Sequence, residues 1–388
     1  MESSHRQPDR QRQVRVRMQC EYFGVCGSCR IYESGYDEQL NVKSTSIMES
    51  FAPYYQGKID LFASQQERYR YRSEFKIYHD EGTVSYAMSR MDKQGSVKIN
   101  SCSIVSQPIA NVMTPLLDAI CDAKIEHKLF GIDFLSTQAG EVVASLLYHR
   151  ALDEQWQETA KAIAAKLGIH IIGRSRKQKL ILSQDYVTET LRIGDRDYRY
   201  VHIENSFTQP NTQVNEKMIE WSLFQFDNIG GDLLELYCGA GNFTIPFAAK
   251  FNRVLATEIS KPSIVAAKRN MELNQVENIH FVRLSAEDFT QALDQTRVYK
   301  RINGENFSDY ELKTLFVDPP RSGLGEEPCT FASRFDNLLY ISCNPETLLR
   351  DLELLSATHT IESMALFDQF PYTHHLEVGV KLTRKVLS

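Results

Sequence analysis

The chain has 388 residues, a formal net charge of -6 and 42% hydrophobic residues. That balance excludes a uniformly basic nucleic-acid binder, so any RNA site must be a local patch on an acidic background. No apolar run approaches the roughly 20 residues of a membrane span, and the N-terminus lacks an apolar leader region. A cytoplasmic protein of two or three domains is expected, acting as a monomer without an obligate protein partner. Its eight cysteines are then reduced, and are candidates for catalysis or metal rather than for disulfides.

Residues 1–17 carry Arg6, Arg10, Arg12, Arg15 and Arg17 with little to bury, the composition of a disordered basic tail. Cys20, Cys26 and Cys29 follow, with Cys102 far downstream. The glycine between Cys26 and Cys29 lets two thiolates reach one centre, and four cysteines can hold zinc or a [4Fe–4S] cluster. Unligated thiols are the plainer alternative. Arg68, Arg70 and Arg72 then alternate with Tyr69 and Tyr71. Arginines neutralise phosphates and tyrosines offer stacking faces, so this run is a candidate RNA contact, against the alternative of a solvated face. Arg174, Arg176, Lys177 and Lys179 form a second basic cluster. Alternation and periodicity predict strands at 74–79, 83–88, 141–148 and 169–172 and a helix over 153–167. Residues 18–203 therefore read as one mixed α+β domain.

From 204 to 388 the pattern becomes regular strand, turn and helix, the signature of a parallel α/β sheet. An apolar strand at 232–236 runs through Glu235 and Tyr237 into Gly239, Gly241 and Asn242. A second strand at 253–257 ends at Glu258, placed to bind ribose hydroxyls. The third glycine of a dinucleotide fingerprint is missing, and an acid precedes the turn. A sulfonium cofactor suits that acidic strand end better than a pyrophosphate does, so S-adenosylmethionine is expected over NAD. A third strand ends at Asp318, with two prolines and Arg321 behind it. A fourth, at 338–342, ends at Cys343. Asn344 is a natural N-cap, Pro345 suits the first helical position, and a helix N-terminus lowers a thiol pKa, so Cys343 is a candidate nucleophile.

Together, the runs 207–211, 235–243, 318–323, 342–345 and 367–377 resemble the RNA uracil-C5 methyltransferases, the tRNA enzymes that make T-loop ribothymidine most of all. The resemblance covers about residue 70 to the end. It implies a Rossmann-like methyltransferase domain at 204–388 and an RNA-binding domain before it. It implies Cys343 as the nucleophile and Glu377 as the base. Cofactor contacts fall on Gln209, Tyr237, Asn242, Glu258 and Asp318. Phe207 would stack on the extruded uridine or wall its pocket, and His374 and His375 read as pocket residues rather than zinc ligands. The partner implied is the tRNA T-arm, with rRNA and tmRNA open as further substrates. The cysteine set departs from the tRNA enzymes and is similar to the iron–sulfur motif of the ribosomal-RNA branch, which favours [4Fe–4S] on Cys20, Cys26, Cys29 and Cys102. Two rival functions follow: C5-methylation of 23S rRNA uridine, and a tRNA-folding role beside or instead of catalysis.

Overall fold

The computed structural model describes residues 18–31, 35–294, 299 and 307–386; the tail expected at 1–17 lies outside them. The larger sheet has eight strands in the spatial order Ile59–Phe62, His359–Phe367, Glu377–Arg384, Asn337–Ser342, Leu312–Val317, Asp232–Leu236, Arg253–Thr257 and Ile279–Val282. Successive residues of its central strands enter two different cores. Leu234, Leu315, Val317, Leu338 and Tyr340 pack on one face, with Leu348, Leu352 and Leu355 of the helix Pro345–Leu355. Leu233, Phe316, Leu339 and Ile341 pack on the other, with Val214 and Met218 of the helix Thr212–Gln225. A sheet covered on both faces explains the continuous apolar runs of these strands.

The parallel α/β sheet expected from 204 onward is present, with one strand turned the other way. Glu377–Arg384 runs antiparallel to both of its neighbours. Residues 368–376 are too few to carry a parallel crossover, so the chain folds straight back. Sheet membership also crosses the expected division at 203. Ile59–Phe62 pairs in parallel with His359–Phe367 at the sheet edge, and Tyr36 and Leu40 of the helix Tyr36–Phe51 join the core of one face.

Residues 72–181 form a seven-stranded sheet in the order Ser96–Ile99, Thr83–Ser89, Arg72–Asp80, Leu129–Ser136, Val142–Tyr148, His170–Ser175 and Gln178–Ile181. The helices Gln107–Asp122 and Glu154–Leu167 cover it through Ile109, Met113, Leu116, Trp156 and Ile163. The second helix is capped at both ends. Asp153 accepts from Trp156 N at 2.8 Å, and Gly168 closes the other end at φ 65°. A two-stranded ribbon, Tyr186–Ile193 and Arg196–Ile203, leads into the larger sheet.

Candidate active site

The strand order reverses between Asp232–Leu236 and Leu312–Val317. Ligands bind an open α/β sheet at the carboxyl ends of strands beside such a switch point. Four expected site residues follow strands that meet there: Tyr237, Glu258, Asp318 and Cys343.

The first turn is built on left-handed backbone, with φ of 63° at Tyr237, 54° at Gly239 and 83° at Gly241. A bulky residue seldom holds such a φ, and those that do concentrate at functional sites. Glu258 Oε2 accepts from Gly239 N at 3.1 Å and its Oε1 from Ser260 N at 2.7 Å, so the acid pins the turn as well as facing the crevice. Asn242 exchanges two hydrogen bonds with Asn215, at 2.8 and 2.9 Å. Its amide is thereby fixed by a partner that sequence reasoning did not name. Among the described residues, Glu235 Oε2 and Gln209 Oε1 are buried without a hydrogen-bond partner. Burial pushes Glu235 up to about 8 and Asp318 up to about 7.

Cys343 stands where the sequence placed it, between Asn337–Ser342 and the helix Pro345–Leu355. Asn344 Oδ1 caps the helix by accepting from Glu346 N at 3.3 Å, and its Nδ2 donates to Arg321 O at 3.1 Å. Leu324 N donates to Asp351 Oδ2 at 2.7 Å, which lashes the loop after Asp318 to the same helix. Gly323 is required there. It sits at φ 75°, and a Cβ would meet Asp351 Oδ2 at 2.7 Å. Glu377 opens the antiparallel strand. Ser342 pairs with Val378, so continuing that register by one residue sets Cys343 against Glu377.

The expectation of a lowered thiol pKa is corrected. Burial and the nearby Glu377 and Asp318 carboxylates push Cys343 up to about 11, and Arg321 offsets only part of this. Glu377 is itself raised well above the usual carboxylate range, by burial and then by Asp318. The helix N-terminus is outweighed because two carboxylates and desolvation act on the same sulfur. Arg321 is a functional candidate that sequence reasoning missed, although it lies inside the 318–323 run. It lines a cavity of about 640 Å³ with Cys343, His374 and His375, and the helix Tyr36–Phe51 supplies the opposite wall through Val42, Lys43 and Ile47.

A second cavity, of about 690 Å³, is lined by Arg70, Arg72, Phe75, Phe207, Phe370 and Thr373 among others. Phe207 is 77% exposed there, an unusual state for phenylalanine. Each arginine of the run also braces the backbone. Arg68 donates to Cys102 O at 2.9 Å, Arg70 to Arg72 O at 2.9 Å and Arg72 to Ser206 O. The alternation seen in sequence arises because 68–71 is a connecting strip whose backbone is paired on both sides. The second basic cluster is also engaged: Arg174 pairs with Glu204 and Lys179 with Asp185, each at 2.5 Å.

Among the described residues, no group of three or more His, Cys, Asp or Glu side chains stands ready to hold a metal ion. The expected four-cysteine set is thus not gathered around a single ion. Cys20, Cys26, Cys29 and Cys102 nevertheless line one apolar cavity of about 20 Å³. Cys121, Cys238 and Cys329 do not reach it.

Residues 35–385 match the family described as tRNA (Uracil-5-)-methyltransferase. A tRNA/tmRNA (uracil-C(5))-methyltransferase of Sulfurimonas denitrificans is 57% identical over 95% of this chain and 100% of its own length. The enzyme of that description from Neisseria meningitidis (serogroup C, strain FAM18) is 46% identical over 91% of this chain and 98% of its own. Among solved structures, the tRNA (uracil-54, C5)-methyltransferase of Pyrococcus abyssi, in complex with S-adenosyl-L-homocysteine, aligns over 92% of this chain and 86% of its own with a TM-score of 0.70. At 21% identity that likeness supports the fold.

Proposed function

Because the chain belongs to the tRNA (uracil-5-)-methyltransferase family, we propose that it methylates C5 of the T-loop uridine of tRNA, giving ribothymidine, with Cys343 as nucleophile and Glu377 as base. The observation that carries this reading is the strand register that opposes those two residues beside the switch point. C5 of uracil is too weak a nucleophile to take a methyl group unaided. Addition of the Cys343 thiolate to C6 forms a C–S bond and moves the ring electrons to C5. Bound S-adenosylmethionine supplies an electrophilic sulfonium methyl, which passes to C5 with release of S-adenosylhomocysteine. Glu377 then takes the C5 proton, the electron pair re-forms the ring double bond, and the C6–S bond breaks to return the thiolate. Arg321 stands near enough to the sulfur to stabilise its charge at the start and end of this cycle. The target uridine must leave its stack, and the exposure of Phe207 suits a side chain that would stack on it or wall its pocket. We assign 18–203 to RNA docking and 204–388 to catalysis, with Tyr36–Phe51 and Ile59–Phe62 lent to the catalytic sheet. The relatives' names extend the proposal to tmRNA, and such substrates suit a cytoplasmic protein. Purified protein incubated with unmodified tRNA and S-adenosylmethionine should yield 5-methyluridine at the T-loop. Methylation of 23S rRNA fragments but not of tRNA would overturn the substrate assignment.

The orphaned oxygens of Glu235 and Gln209 fit a cofactor with a cation and polar ends. Gln209, Tyr237, Asn242, Glu258 and Asp318 would hold it. This has a pH consequence. Asp318 and Glu235 titrate near 7 and 8 when folded, above their unfolded values. Their protonated forms therefore stabilise the fold below the unfolded pKa, and that stability is lost as pH rises through about 7 and 8. Each tenfold difference in proton affinity between folded and unfolded chain is worth about 1.4 kcal/mol. A sulfonium nearby favours the ionised forms and offsets the loss. S-adenosylmethionine affinity is expected to rise at least about tenfold between about pH 5.5 and 8, and the affinity for S-adenosylhomocysteine, which lacks the sulfonium charge, to rise much less. Calorimetric titration at several pH values checks this; equal pH dependence for the two ligands would contradict it.

For the cysteine cavity we propose a [4Fe–4S] cluster on Cys20, Cys26, Cys29 and Cys102. Each thiolate of such a cluster binds its own iron, so the set is spaced more widely than around one zinc ion, in keeping with thiols that converge without grouping around a single point. Burial and the mutual repulsion of neighbouring thiols raise Cys29 and Cys102, a charge that soft metal ligation would absorb. The segment is structural in position, joining Cys26 to Arg90 of the smaller sheet and Arg30 to Tyr372 of the catalytic loop. Anaerobically purified protein should carry about four irons and four sulfides per chain. Cys26→Ser should lose them and lower the melting temperature by at least about 3 °C, with a smaller effect on the rate of methyl transfer in bound RNA. Iron-free, sulfide-free protein with the wild-type melting temperature would reject the site.

A further inference from the structure

The helix Tyr36–Phe51 is amphipathic in an unexpected sense, because three of the residues it buries are Gln39, Lys43 and Ser44. Two of these, with Tyr36, meet the loop 368–376 that leads to Glu377. Lys43 Nζ donates to Asp368 Oδ1 at 2.6 Å, to His375 O at 3.3 Å and to Phe370 O at 3.4 Å. An ammonium has three donors, so Lys43 is fully used, and it touches both the first residue of the loop and its penultimate one. The second Asp368 oxygen accepts from Tyr36 OH at 2.9 Å, and that hydroxyl is held in turn by Ser64 N at 2.7 Å. Gln39 Oε1 accepts from Tyr372 N at 2.7 Å, midway along the loop. The side chains of Lys43 and Asp368 are 4% and 0% exposed.

Burying a charge pair at the edge of a core is a poor way to gain stability, because desolvation offsets most of the attraction. Its better-attested effect is to select one arrangement over others. Here the arrangement selected is that of a loop whose next residue is the base, and whose alternative registers would leave an aspartate buried without a partner.

We propose that Lys43 is a positioning residue for proton removal. Through Asp368, Phe370 and His375 it fixes the loop 368–376 so that the Glu377 carboxylate faces C5 of the methylated adduct. The inference rests on the reading of Glu377 as the base. Thiolate addition and methyl transfer depend on Cys343 and the cofactor crevice, and Lys43 donates to none of those residues. Loss of the latch should therefore slow elimination selectively, and the covalent enzyme–RNA species should accumulate. A merely structural role would lower the amount of active protein without accumulating that species.

The test compares wild type, Lys43→Met, Lys43→Arg, the double variant Lys43→Met with Asp368→Asn, and Glu377→Gln. The double variant removes the latch without stranding a buried charge, so it keeps the test decisive where Lys43→Met alone fails to fold. Each protein is followed by thermal melting, by kcat and KM with unmodified tRNA, and by the methylated protein–RNA band on denaturing gels. The double variant is expected to melt cooperatively, to keep KM within about threefold and to lose at least about tenfold in kcat. It should accumulate the band, and Lys43→Arg should recover part of the rate. Wild-type kcat, a change confined to KM, or a fall in kcat without the band while Glu377→Gln shows it, would each overturn the latch and leave the function standing. Absence of the band from Glu377→Gln as well would instead overturn the base assignment, and the latch with it.

Discussion

Cys343→Ala is expected to abolish methylation of tRNA while leaving S-adenosylmethionine binding within about twofold of wild type. Without the thiolate, C5 carries no usable electron density, so no weaker route takes over. The loss should exceed about 10³-fold in kcat, or about 4 kcal/mol of transition-state stabilisation. The cofactor groups sit on other strands: Glu235, Tyr237, Glu258 and Asp318 surround the switch point, and Cys343 lies one strand further on. The substitution should not disturb the fold. The thiol is only partly buried, the cap is made by Asn344 and not by the cysteine, and the lost volume opens toward an existing cavity. Calorimetry with S-adenosylmethionine and tritium release from C5-labelled tRNA separate binding from chemistry. Measurable tritium release by the alanine variant would remove Cys343 from the mechanism.

The parts of this site legible in the sequence are those in which a strand ends on a residue type that must turn or react. Gly239 and Gly241 mark a turn, Glu258 and Asp318 end apolar runs, and Asn344-Pro345 announces a helix; each is local and each is found where the pattern put it. What stayed hidden depends on distant contacts. The helix Tyr36–Phe51 carries Gln39, Lys43 and Ser44 on its buried side, so no apolar stripe betrays it. Ile59–Phe62 is a four-residue strand, too short to show alternation, and it is recruited by residues some 300 positions away. The return of Glu377–Arg384 as an antiparallel strand follows from the shortness of 368–376, visible only once both flanking strands are known. The Arg68, Arg70 and Arg72 run has a second side that sequence could not show: its guanidinium groups also brace backbone carbonyls. The raised thiol pKa of Cys343 could not be read from its own flanks, because it comes from burial by distant elements and from carboxylates at two other strand ends.

Glu377→Gln is expected to carry the reaction through thiolate addition and methyl transfer and to stop there. The glutamine amide keeps the size of the side chain and its place in the strand, so Phe367 and the residues after it should hold their register. It cannot accept the C5 proton. Elimination needs that proton to leave first, and general-base loss of this kind slows a step by about 10²- to 10⁴-fold. The C6–S bond then persists, and a protein–RNA species carrying the transferred methyl group should survive denaturing electrophoresis. S-adenosylhomocysteine should appear in one burst of about one equivalent per active site, with little turnover beyond it. Burial holds Glu377 well above the usual carboxylate range, so the substitution takes little charge from beside Cys343, and the adduct should form about as fast as in wild type at neutral pH. A variant that folds and binds both ligands yet gives neither burst nor adduct would show that Glu377 acts before methyl transfer, in activating the thiol or seating the base, and not in removing the proton.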